Sequence, residues 1–104
     1  MKINIKNIWI ETETNINDKE YDNKNTDVIV ELENGDRYVA TFFTYKNIEY
    51  LRKKNIESGE CLSGKYFWAT DMFIIDNCLR DNIENVIKHL IENDEFYSIF
   101  KKIS

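Results

Sequence analysis

The stretch DVIVELENGDRYVATFFT, residues 27–44, constrains the fold more than any other part of the chain. Two runs rich in β-branched and aromatic residues flank Asn34–Gly35, a pair that favours hairpin turns. The register follows from the side-chain faces. A two-residue Asn34–Gly35 turn puts Leu32 opposite Arg37 and mixes apolar with charged positions. A three-residue loop, Glu33–Asn34–Gly35 with Gly35 left-handed, instead pairs Val30 with Tyr38 and Val28 with Ala40. One face then carries Val28, Val30, Leu32, Tyr38, Ala40 and Phe42. The other sets Glu31 against Arg37 and Ile29 against Val39, and stays half apolar through Ile29, Val39 and Phe43.

The rest of the chain supplies partners for this hairpin. Residues 2–11, KINIKNIWIE, read as a strand: Ile3 and Ile5 alternate, Ile8 and Ile10 alternate out of phase, and a bulge near Lys6–Asn7 reconciles the two halves. Residues 12–26 are polar and asparagine-rich and read as a long loop. Thr44 is placed to cap a helix over 45–55, with Tyr45, Ile48 and Leu51 as its buried stripe. Arg52, Lys53 and Lys54 then stand in its last turn, where cations suit the helix dipole. In GKYFWATDMFIID, residues 64–76, both alternating sets are apolar, which reads as a central strand covered on both sides. Asp81 with Glu84 forms a capping box for a second helix whose inner face is Ile83, Val86, Ile87, Leu90 and Ile91. Asn93–Asp94 interrupts that pattern, and Phe96, Ile99, Phe100 and Ile103 predict a short terminal helix. The expected fold is a single α+β domain over residues 1–104: an antiparallel four-stranded sheet with helices packed on it, in the order β-β-β-α-β-α-α.

Few residues offer chemistry. His89 is the only histidine, so a multi-histidine metal site within one chain is excluded, as is a triad. Cys61 and Cys78 form no metal signature and read as reduced thiols. The three glycines, at 35, 59 and 64, have no phosphate-loop spacing. Asp71 and Asp76 fall on opposite faces of a regular strand and do not share a site. No stretch approaches the roughly 20 apolar residues of a membrane span. The N-terminus lacks the apolar block of a signal peptide, so a cytoplasmic location is expected. No enzyme activity, cofactor or metal is expected.

The charge is concentrated. The formal net charge is −5, yet residues 11–36 hold nine acids against Lys19 and Lys24, while residues 37–104 balance. Such a local excess steers basic partners and argues against nucleic acid, which needs a basic face. Glu11, Glu13, Asp18, Glu20 and Asp22 surround Tyr21 in this segment, and these five acids with Tyr21 are the candidate partner-binding residues.

The segments VELENGDRYVATFFTYKNIEYLRKKN and GECLSGKYFWATDMFIID together resemble small uncharacterised bacterial α+β domains, over about residues 27–76. Some of these are encoded beside polymorphic toxins and look like immunity proteins. The resemblance carries no catalytic motif. It implies a non-catalytic inhibitor that occludes a protein partner. The N-terminal acidic loop lies outside the resemblance; its charge makes a basic toxin domain the expected partner and, with the lack of an apolar span, nucleic acid and membrane are not expected as partners. Two alternatives remain open. One is a structural or regulatory module, a monomer or a homodimer built on the aromatic strand. The other is a small-ligand or enzymatic domain with a pocket holding Asp71 with Tyr66, Trp68 or Tyr38.

Overall fold

In the computed structural model, which describes residues 3–11 and 25–104, the hairpin closes with the three-residue loop. Strand β2 (Thr26–Leu32) pairs antiparallel with β3 (Arg37–Thr44), with Val28 opposite Ala40, Val30 opposite Tyr38 and Glu31 opposite Arg37. Gly35 sits at φ +93°, and the Asn34 side chain accepts a hydrogen bond from the Asp36 amide at 2.9 Å. Strand β1 (Ile5–Ile10) pairs antiparallel with β2, and its register shifts between Ile5 and Asn7, where the change of phase in the isoleucines requires a bulge.

The far edge of β3 is shared by two short strands. β4 (Met72–Ile75) runs parallel to its Thr41–Thr44 half, and β5 (Lys101–Lys102) runs antiparallel to Tyr38–Val39. The fold is thus α+β with a mostly antiparallel sheet. The expected all-antiparallel, four-stranded arrangement is corrected on both counts. The connection between β3 and β4 contains the helix α1 (Tyr45–Ser58), and a helical crossover is what joins parallel neighbours.

One face of the sheet is covered by α3 (Arg80–Glu92) and the single turn α4 (Phe96–Ile99). Val28, Val30, Ala40 and Phe42 from the hairpin meet Ile83, Ile87, Leu90, Phe96 and Phe100, all buried. The rings of Phe96 and Phe100 stack at 4.7 Å, and Phe42 touches both Phe73 and Phe100. This apolar layer is the main driving force for folding.

Several local expectations need correction. Residues 65–70 form no strand, and Trp68 is 70% exposed, so the aromatic run is not a central strand. Its regular part begins only after Asp71, which adopts φ +57° while its carbonyl accepts from the Thr41 amide. Helix α1 turns Asn47 and Asn55 inward and leaves Tyr45 exposed. It also continues to Ser58, which removes Arg52–Lys54 from the last turn. A short turn, α2 (Glu60–Gly64), follows with Cys61, Leu62 and Ser63 all left-handed. Asp81 does not cap α3: Leu79 holds that position without a side-chain bond, and its amide is held by the Asn77 side chain at 3.1 Å. The terminal helix stops at Ile99 because Phe100 turns extended and the chain adds to the free edge of β3, leaving Ile103 exposed.

The cap at Thr44 does form, with its hydroxyl accepting from the Asn47 amide at 2.9 Å inside a buried position. Thr44→Ala is therefore expected to lower stability by about 1 kcal/mol, and Thr44→Ser by less. Urea unfolding followed by circular dichroism measures the difference.

Candidate functional site

Alternation along the strands turns a second set of side chains away from α3. Trp9, Ile29 and Val39 lie in one cross-strand row over β1, β2 and β3. Trp9 is 43% exposed, and Ile29 and Val39 are half-buried. Met72, opposite Thr41, and the exposed Ile74 extend the apolar surface onto β4. This face is covered only at one end among the described residues. There Phe67 from the crossover packs edge-on against Phe43, 5.5 Å between centroids, and Phe43 is buried.

Polar pairs frame the apolar row. On one side Glu31 receives the Asn7 amide group at 3.5 Å and pairs with Arg37 at 3.6 Å. The Arg37 guanidinium also lies 5.4 Å from the centre of the Trp9 ring. That stacking fixes the indole against the sheet and places a cation over its face. On the other side the Thr41 hydroxyl donates to Asp27 at 2.9 Å, and the Asp27 amide donates to Glu11 at 3.4 Å. The result is an apolar strip with a pinned tryptophan and a hydrogen-bonded rim. An apolar centre within a polar rim is the usual anatomy of a protein-docking surface, and Trp and Arg are the residue types that dominate such surfaces energetically.

Of the candidate residues, Glu11 stands exposed just beyond β1, joined to β2 by the bond to Asp27. Glu13, Asp18, Glu20, Tyr21 and Asp22 lie outside the described residues. Trp9 and Arg37 were not singled out from the sequence. The signal was present: Asn7, Trp9 and Glu11 alternate with Ile8 and Ile10, so an indole had to face away from the isoleucine side.

The residues of the Asp71 alternative do not converge. Tyr66 and Trp68 project into solvent from the crossover. Tyr38 lies on the helix-covered face, with its ring against Phe96 at 5.4 Å and Tyr97 at 5.3 Å. Partial burial there pushes the Tyr38 phenol above its ordinary range, and the neighbouring Tyr97 and Asp36 add to the shift. His89 is exposed and contacts Asn93; Cys61 and Cys78 form no disulfide. Among the described residues no group of three or more His, Cys, Asp or Glu side chains is arranged to hold a metal ion. No described helix is long and apolar enough to cross a membrane. Comparison with family models, with curated proteins and with solved structures gives no match to this chain.

Proposed function

We propose that the chain is a non-catalytic protein-binding domain, an immunity-protein-like inhibitor that occludes a basic protein partner. The observation that carries this reading is the row of Trp9, Ile29 and Val39, which no other described residue covers fully, with Arg37 over the indole. The acids of residues 11–36 supply long-range attraction, because a local negative field raises the encounter rate with a basic surface. The strand face then supplies contact area, with Trp9 as the anchor. Glu11 is the link between the two, since it follows β1 directly and is bonded to β2 beside the apolar row.

The test begins with immobilised protein, cell lysate from the source organism and mass spectrometry of what is retained. The captured partner is then titrated against variants. Trp9→Ala is expected to weaken binding by about 30-fold or more, as loss of an aromatic anchor at an interface does. Charge reversal at Glu11, Glu13, Asp18, Glu20 and Asp22 is expected to slow association and flatten its salt dependence, with a smaller effect on dissociation. A partner bound equally well by the Trp9 variant refutes docking through this face. A self-associated species near twice the monomer mass that Trp9→Ala dissolves would assign the face to homodimer formation instead.

A further inference from the structure

A groove runs between the start of β1 and the C-terminal end of α3, on the side of the sheet away from Trp9. Its volume is about 530 Å³, within the range of sites that accept a side chain or small ligand. Ile3, Ile5 and Ile91 form an aliphatic floor, each half-buried against the core. Glu33, Glu92 and Asp94 stand exposed around it. Among the described residues Lys88 is the one cation lining the groove, and none of the three acids makes an ion pair. Ile91 and Glu92 close the last turn of α3, so the groove lies beside the C-terminal end of that helix. The groove continues past Ile3 and Asp94 into a second hollow of about 190 Å³ walled by Phe96 and Tyr97.

We propose that this groove docks a short basic segment of a protein partner. An aliphatic side chain seats on Ile3, Ile5 and Ile91, while a neighbouring lysine or arginine pairs with Glu33, Glu92 or Asp94. Charge complementarity selects the occupant: among the described lining residues three exposed carboxylates outnumber the single lysine, which favours a cation over an acidic ligand. The apolar floor selects an amphipathic segment over a free inorganic cation or a small hydrophilic amine. The two contiguous hollows fit consecutive residues on one side of an extended chain, whose side chains of one face repeat every second position. The site does not depend on the sheet face assigned above. Ile5 belongs to the helix-covered side of β1, whereas Trp9 turns to the opposite side.

The test is a titration of the isotope-labelled full chain with a short peptide alternating isoleucine and lysine, followed by NMR. A peptide with glutamate in place of lysine serves as control. The expected result is methyl shifts confined to Ile3, Ile5 and Ile91 with the lysine peptide and none with the glutamate peptide. The combined Glu33→Gln, Glu92→Gln, Asp94→Asn variant is expected to bind about tenfold more weakly, from the loss of an exposed ion pair together with the attraction of the two neighbouring carboxylates. Asparagine at 94 keeps the tolerance for the φ of +57° found there, and thermal unfolding of the variant verifies that it is folded. Equal affinity for the variant, equal affinity for the glutamate peptide, or no shift at saturating peptide overturns the proposal. Shifts at Trp9 and Ile29 alone overturn it too, while leaving the sheet face in place as a docking surface.

Discussion

Phe42→Ala is expected to cost about 3–5 kcal/mol, whereas Trp68→Ala, which deletes a larger side chain, costs under about 0.5 kcal/mol. Phe42 is fully buried at the centre of β3, with its ring 4.9 Å from Phe73 and 5.9 Å from Phe100. Removing it forfeits the transfer free energy of the ring and opens a cavity between the sheet and α3 that the surrounding elements only partly refill. Single domains have only about 5–15 kcal/mol of stability, so the variant loses a large part of the total. Trp68 is 70% exposed, so truncation removes little contact. Urea midpoints at constant m value read both effects. Equal costs at the two positions would mean that the 64–76 run is interior sheet after all, and that the crossover is placed wrongly.

The contrast between these two residues also shows where sequence reasoning holds and where it stops. Between Val28 and Phe42 the pattern is closed. Only one register keeps the six apolar side chains on one face, and a one-residue slip would expose them all. The isoleucines of β1 carry their bulge in their own change of phase. The face of α3 is equally legible, because Ile83, Ile87 and Leu90 recur at helical spacing. The aromatic run at 64–76 is different. Its apolar content is equally consistent with a buried strand or with an exposed crossover, since composition does not reveal what lies on either side. Phe67, Phe73 and Ile75 do find partners on Phe43, Phe42 and the core, while Tyr66 and Trp68 between and before them do not. The last residues fail for another reason. Phe96 to Ile103 have helical spacing, but the unpaired edge of β3 beside Tyr38 and Val39 offers backbone hydrogen bonds that a longer helix would leave unused. As for the candidate site, the charge of residues 11–36 was readable by counting. The apolar strip was not, because Trp9, Arg37, Ile29 and Val39 become neighbours only through pairing across three strands.

Gly64→Ala is the second substitution with a large expected cost, about 2–4 kcal/mol, and its origin is backbone geometry together with packing. Gly64 sits at φ +79°, where an L side chain costs about 1–2 kcal/mol. A Cβ there would come within 2.7 Å of the Ile56 Cγ1 and 2.9 Å of the Arg52 carbonyl oxygen. The second of these is helix backbone and cannot give way, so the α1–α2 contact itself must open. Gly59 provides the control. It has φ +82° but nothing within 4 Å of its added Cβ, so Gly59→Ala pays only the backbone term, about 1–2 kcal/mol. Leu62 provides the opposite sign. It is left-handed at φ +51° and 69% exposed, so Leu62→Gly removes strain while surrendering little packing. After allowance for the added freedom of the unfolded chain, it is expected to be neutral or stabilising by about 0.5 kcal/mol. Urea unfolding of the three variants side by side separates the contributions. A Gly64→Ala cost no greater than that of Gly59→Ala would show that the left-handed turn does not press on α1. Equal losses at 59, 62 and 64 would show that residues 59–64 do not hold left-handed geometry, and the path by which β3 reaches a parallel β4 would have to be redrawn.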